Sequence, residues 1–568
     1  MLRLLYLLAL LITALPFIPG FAGLVAVAFS YLPTLGFVSP GFSAWREIAA
    51  WPGVSTSISI SLAVGFGSTF LALIWTFLIV QRYWGTPRWV KLEKWLSPLM
   101  AIPHVAFAVG CVFLFAPSGM FARLLANLFG VGQECNIFCT DTMQAVGLTL
   151  LLAIKETPFL LLMSIAILRQ FPVCHYQSIA KSLGYSHGAG WLKVILPLWL
   201  PKLRFPIYAV LAYSLSVVDI ALIAGPSTPP TFAVLIWQWF NDPDLALLPR
   251  ATAGAVLLFA LCFASLLLYR SLEWVLFRYW QRWQYSGSSA VYLPGKGLFA
   301  VVALLPILAL PVLAVWSFAL RWRFPDMVPS RYSLRFWEQE YSHLLDLVSQ
   351  SFWLATVSAT LALILAIITL EYRAIHNRSL PAVVIATPLL VPQLSVLFGM
   401  QITTYLIPGA HYTFWVIWAH VLYAFPYIYL SLDGPWRSFD PRLQQTARSL
   451  GYSQWHSWGK VKLPLLLPAI ILGWAMGMSV SLAQYLPTQL LGAGRVVTLT
   501  TEAVSLASGQ DRRIIAIYGL MQAVLPLVVF SLAVAASRMT EPARRLATRK
   551  SPRWSIDAIT RKKSQHHI

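Results

Sequence analysis

Apolar residues run along this chain in long, nearly unbroken blocks rather than in the alternation of half-buried strands or the stripe of surface helices. Apolar runs of 18 or more residues predict membrane-spanning helices. In the first half of the chain such spans are expected near 4–32, 54–80, 96–116, 143–166, 203–225 and 251–272; in the second half, near 298–320, 350–370, 381–403, 412–432, 467–490 and 514–537. The first block, MLRLLYLLALLITALPFIPG, has Arg3 as a charged start, but it runs on to about Leu32 and lacks a small-x-small cleavage site. It reads as a retained first span rather than a signal peptide. The weak alternation over ~10 residues that marks transmembrane β-strands is absent. The expected fold class is an all-α polytopic membrane protein of about 12 transmembrane helices.

The polar segments between these blocks hold a repeat. Gln177 to Pro201 (QSIAKSLGYSHGAGWLKVILPLWLP) and Gln444 to Pro468 (QQTARSLGYSQWHSWGKVKLPLLLP) match at 15 of 25 positions, without a gap, at an offset of 267. The chain thus divides into a first half at 1–276, a linker at 277–297, a second half at 298–537 and a basic tail at 538–568, with the repeated loops at 177–201 and 444–468. Six spans per half is an even number, so both halves enter from one side and the repeats are parallel, related by an axis along the membrane normal.

Composition agrees with this picture. The chain is 58% hydrophobic and 11% charged, with mean hydropathy +0.70, whereas soluble domains carry roughly 25% charged residues. With the N-terminus placed inside, the inner segments hold 30 Lys/Arg and 7 Asp/Glu and the outer segments 10 and 11, as the positive-inside rule requires. The net charge of +21 is therefore accounted for by inner loops beside anionic headgroups, without a nucleic-acid partner. The tail from Arg538 to Ile568, with nine basic and two acidic residues, reads as a topology anchor. Cys111, Cys174 and Cys262 lie in or near spans; Cys135 and Cys139 fall in an expected outer loop, either as a disulfide or as two free thiols. No metal-ligand spacing accompanies them.

Each repeated loop begins with a short helical pattern. Ala180, Ser182 and Leu183 lead to Gly184, and Ala447, Ser449 and Leu450 lead to Gly451, which suits a left-handed C-terminal cap. A second short amphipathic piece follows, carrying Trp191, Val194 and Leu196 or Trp458, Val461 and Leu463. Pro197 and Pro464 are expected to stop it, with Pro201 and Pro468 leading into the next span. The basic pairs Lys181/Arg448 and Lys193/Lys460 are expected to flank this helix–turn–helix knuckle. Surface loops drift faster than other elements, so a loop that is the best-matched part of a duplication points to a task both copies share.

These residues resemble the cytoplasmic motif of permease subunits in binding-protein-dependent ABC importers, E-A-A-x3-G-x9-I-x-L-P. Gly184, Val194, Leu196 and Pro197 fall on that pattern, as do Gly451, Val461, Leu463 and Pro464; Ala180 and Ala447 match its second alanine. Ser178 and Gln445 stand where the family has glutamate, and Ile179 and Thr446 where it has the first alanine. The length and layout resemble permeases with both halves fused in one chain, of the thiamine and ferric-iron types, and within these the inner-membrane YnjC-like permeases. The resemblance implies an ABC permease fold in the bacterial inner membrane, with both termini cytoplasmic. It implies two copies of a separate ATPase docked on the knuckles, where Gln177, Lys181, Gln444 and Arg448 also lie, and a periplasmic substrate-binding protein at the outer face.

Charges inside spans are costly, roughly 2.5–3.5 kcal/mol each on insertion scales. Three fall there. Lys155 and Glu156, beside Pro158, fit either a local pair or helix-end contact at the kink, or the substrate path. Asp219, near Gln484 and Tyr485 at the repeat offset, fits either interhelical hydrogen bonding or the path; a carboxylate there would suit a cationic substrate. No Walker A pattern or H-E-x-x-H occurs, so no catalytic residues, metal site or cofactor are expected and ATP hydrolysis is assigned to another subunit. An ion-coupled secondary transporter would share the twelve spans but gives no reason for two G-x9-V-x-L-P loops, and a membrane-embedded enzyme would need clustered reactive side chains.

Overall fold

The computed structural model describes residues 2–130, 141–287, 290–378, 380–407, 409, 411–509 and 511–548. Cys135 and Cys139 lie outside the described residues, as does the tail beyond 548. Among the described residues, eleven helices are long and apolar enough to cross a membrane, and the bent pair Val384–Leu390 and Gln393–Tyr405 brings the number to twelve. Each expected span meets one of them. Among the described residues, β-structure is limited to one small antiparallel hairpin, Ala319–Arg321 with Arg331–Tyr332, which follows the seventh span, and an isolated bridge between Leu32 and Phe37.

Two spans break at the same place in both halves. In the third span of the first half, Pro87–Ala101 ends at Ile102 and His104–Phe115 continues beyond Pro103; in the second half, Ala382–Leu390 ends at Val391 and Gln393–Leu406 continues beyond Pro392. Ile102 and Val391 are both extended, at ψ 120° and 133°. The ring of a following proline excludes the helical region for the residue before it, so each break is written in sequence. The apolar crossing near 96–116 is corrected accordingly: it starts at His104 and reaches Phe129.

The fifth span is broken too, and here the expectation of continuous helix over 203–225 fails. Leu196–Ser216 stops at Val217, whose ψ is 132°, and a six-residue helix, Asp219–Ala224, follows; in the second half, Leu463–Leu482 is followed by Leu486–Gly492. Asp219 therefore opens a separate short helix. After each fifth span a further helix, Phe232–Phe240 or Leu499–Ala507, has its first N–H bound by a serine of the second span: Phe232 N donates to Ser61 Oγ (2.8 Å) and Leu499 N to Ser351 Oγ (2.8 Å).

The two halves exchange their first spans. The second part of the first span, Phe17–Ala28, packs on the third span of the other half, and the seventh span, Leu298–Phe318, packs on His104–Phe115. Glycine makes both approaches possible: a Cβ on Gly110 would collide with Ala309, and one on Gly399 with the backbone of Gly20. Trp418 Nε1 donates to the Ile12 carbonyl at 2.9 Å, and the rings of Tyr6 and Tyr372 stack at 4.0 Å, fastening the N-terminal helix to the second half.

Candidate functional site

Both repeated loops fold as the same knuckle. The helices Val173–Ser182 and Arg442–Ser449 end in a left-handed glycine, Gly184 at φ 81° and Gly451 at φ 91°. In the first copy Tyr185 N bonds the Ala180 carbonyl (3.0 Å) and Gly184 N the Lys181 carbonyl (2.9 Å); in the second, Tyr452 N bonds Ala447 (3.1 Å) and Gly451 N bonds Arg448 (3.0 Å). This paired closure satisfies the orphan carbonyls of each helix end and needs positive φ at the glycine. Ser186 and Ser453 then cap the next turn, accepting from Ala189 N and His456 N.

The expected stop at Pro197 and Pro464 does not occur. Chain direction is kept through a π turn, Trp191–Ile195 or Trp458–Lys462, which runs straight into the fifth span. Both prolines stand at the start of the long helix, where a missing N–H is tolerated. A π turn widens the helix locally and is a common mark of functional sites.

Ala180 and Ala447 are buried, and their small size has a steric cause. The following turn crosses them: a Cβ on Gly190 would lie 3.2 Å from the Ala180 Cβ and 2.9 Å from Gln177 Oε1. In the second copy Ser457 occupies that place and donates to the Gln444 carbonyl at 3.3 Å. Val194, Leu196, Pro197, Val461 and Leu463 are half-buried where knuckle meets bundle, and Pro464 is exposed. Ser178, Gln445, Lys181 and Arg448 are exposed, as are Leu183 (70%) and Leu450 (75%). Ser178 Oγ donates to the Cys174 carbonyl at 3.0 Å. Nothing lies within 4 Å of where a Cβ on Gly184 or Gly451 would stand, so both turns face open space.

The pairing of Lys193 with Lys460 is not equivalent. Lys460 is exposed, whereas Lys193 is buried and donates to the Ser286 carbonyl of the linker at 2.6 Å. Sequence reasoning also missed how the second knuckle is fixed. Lys462 Nζ lies 2.6 Å from Glu371 Oε1 near the C-terminal end of the eighth span, and Trp436 Nε1 donates to the same oxygen at 3.0 Å. The position aligned with Lys462 is Ile195, so comparing the repeats by identity discards the signal that would have found it.

At membrane depth Lys155 and Glu156 part company. Lys155 Nζ donates to the carbonyls of Leu99 (3.3 Å) and Ile102, both left without helical partners by the break before Pro103. Glu156 Oε1 instead faces His104 Nε2 at 3.3 Å. Asp219 lies within electrostatic reach of His104, Tyr213 and Tyr485. Tyr213, whose ring lies 5.3 Å from that of His104, is within the same electrostatic reach of Glu156 and Tyr427, so His104, Glu156, Tyr213 and Asp219 of the first half lie near Tyr427 and Tyr485 of the second. The Tyr485 ring stands 5.9 Å from Trp237, and Gln484 is buried. On the other half, His420 bridges Ser481 Oγ (2.7 Å) and Thr488 Oγ1 (2.9 Å) across the tenth and eleventh spans.

No protein-family model matches the sequence. The chain is 32% identical over 522 residues to the inner membrane ABC transporter permease protein YnjC of Escherichia coli (strain K12), covering 89% of this chain and 94% of that protein. Shorter similarities reach the spermidine/putrescine transport system permease protein PotC of Haemophilus influenzae (28% over 139 residues, 24% of this chain and 52% of that one) and the putrescine transport system permease protein PotI of E. coli K12 (27% over 136 residues, 22% and 48%).

Proposed function

Because the chain belongs to the inner-membrane ABC transporter permeases, it is a multi-pass permease subunit of an ABC importer, and we propose that its two knuckles are the seats of two copies of the ATPase. The observation that carries this reading is the duplicated geometry: two glycine-closed, serine-capped turns at one offset, whose closing glycines Gly184 and Gly451 face open space, each continuous with a fifth span. ATP hydrolysis belongs to the separate subunit. Both termini and both knuckles lie on the cytoplasmic side, and a periplasmic binding protein delivers substrate to the outer face. Closure of the ATPase dimer draws the knuckles together, and rigid movement of one half against the other changes access. Ser178 and Gln445, exposed where the family carries glutamate, offer neutral hydrogen bonds in place of a salt bridge.

The path runs between the halves past Glu156, Asp219, Gln484 and Tyr485. Two carboxylates with tyrosines around them favour a cationic substrate, since an intramembrane charge is retained where it meets a partner. Polyamine permeases are among the partial relatives, which agrees with that charge class. Lys155, held by the Leu99 and Ile102 carbonyls, lines the path's wall rather than the path.

Co-purification with the ATPase tests the docking. Gly184→Trp combined with Gly451→Trp is expected to abolish the complex while the chain still inserts; retention of the complex and of stimulated ATP hydrolysis in that variant would refute the assignment.

A further inference from the structure

The longest block of mismatches inside the repeat is four residues, HGAG at 187–190 against QWHS at 454–457. The structure gives that block a cause. The segment joining the two halves lies over the first knuckle at this place and has no counterpart over the second among the described residues. Ser186 Oγ accepts from Val291 N at 3.0 Å and lies 3.2 Å from the Val291 carbonyl. Gly188 lies so close beneath that carbonyl that a Cβ would collide with it. Position 455, the equivalent of Gly188, is a tryptophan exposed to 70%. A strap could not lie flat on it.

The same segment is stitched down on both sides of residues 288 and 289. Before them, Gln284 Nε2 donates to the Lys193 carbonyl (2.9 Å), and the Lys193 ammonium donates to the Ser286 carbonyl while standing 4.7 Å from the Trp283 ring. After them, the buried Gln81 at the inner end of the second span reaches the carbonyls of Leu293 (3.4 Å) and Pro294 (3.3 Å). Gly295 packs on the Leu78 carbonyl, where a Cβ would come within 2.6 Å. Three residues later the chain enters the seventh span at Leu298.

We propose that the linker is a working part of the first docking knuckle, so that the two ATPase copies meet seats of different construction. The first seat is one knuckle plus the strap, held by hydrogen bonds that include one from the Lys193 ammonium, and tied through Leu298 to the second half. The second seat, which no linker covers among the described residues, is held to its own half by the Lys462–Glu371 ion pair. A push on the first seat is thereby delivered to both halves, and a push on the second to one. This proposal rests on the knuckles being ATPase seats.

The test uses the full chain in complex with its ATPase, with a photo-crosslinking residue placed at Leu183 or, separately, at the equivalent Leu450. Gly188→Trp, which lifts the strap from beneath, is expected to lower crosslinking from position 183 by about threefold or more, the scale of losing one net hydrogen bond's worth of order, and to leave position 450 unchanged. Val291→Pro, which removes the donor to Ser186 from the strap side, is expected to act in the same direction and decides the matter if Gly188→Trp is not recovered folded. Unchanged crosslinking at both positions, or equal loss at both, would overturn the strap's role. Absence of crosslinks from both positions in the unaltered chain would instead overturn the docking reading beneath it.

Discussion

Gly399 of the ninth span lies directly against the backbone of Gly20 in the first, with no room for a side chain between them. Gly110 and Ala309 repeat that contact with the halves reversed. The two halves are therefore locked by exchange of their first spans, and the exchange depends on residues too small to keep helices apart.

Gly399→Ala is expected to lower the thermal unfolding midpoint of the detergent-solubilised protein, on the scale of about 1–3 kcal/mol for overpacking. Gly434→Ala is the control. It lies within the helix Tyr412–Ser438, nothing stands within 4 Å of its added Cβ, and alanine is the better helix former by about 1 kcal/mol. Equal effects of the two substitutions would show that the contact is not constraining.

Lys462→Met should destabilise strongly. It strands Glu371, whose carboxylate also holds Trp436, in a site where the lysine side chain is only 4% exposed and the glutamate 13%. Removal of one partner of a buried pair costs about 3–5 kcal/mol, and replacement of both by apolar residues is often neutral. Lys462→Met with Glu371→Met should therefore recover most of the lost unfolding midpoint. A double variant no better than the single one would mean that the pair does not act as a unit.

The twelve spans were legible because block length alone identifies them, and the glycine-capped turns because positive φ leaves a residue signature at Gly184 and Gly451. The proline-driven breaks at Ile102 and Val391 could have been read from the following Pro103 and Pro392. The break at Val217–Val218 could not, since two β-branched residues in an apolar run carry no stop signal and tertiary packing decides. The role of Pro197 is not legible, because proline ends a helix from within but opens one at its first turn, and local sequence does not say which position applies. Likewise, the Lys193 and Lys460 side chains share an alignment column yet differ in burial, because the linker that covers one is not part of the repeat.

Lys155 and Glu156, adjacent in sequence, should fail in different ways. Lys155→Met leaves the Leu99 and Ile102 carbonyls unpaired inside the bilayer, at a cost of about 1–3 kcal/mol for each buried group left unsatisfied. The expected result is less folded protein in the membrane, with normal activity per folded molecule. Glu156→Gln and Asp219→Asn keep the shape of their side chains and remove a charge from the cluster of His104, Tyr213, Tyr427 and Tyr485. Folded yield should then hold, while stimulation of ATP hydrolysis by the loaded binding protein, measured in proteoliposomes with the ATPase, should fall about tenfold or more, the scale of one lost charge-assisted hydrogen bond. The two readouts separate the roles. Were Lys155→Met to spare the yield and abolish stimulation, the lysine would belong to the path; were Glu156→Gln and Asp219→Asn to reduce yield alone, their carboxylates would be structural and the cationic substrate class would lose its support.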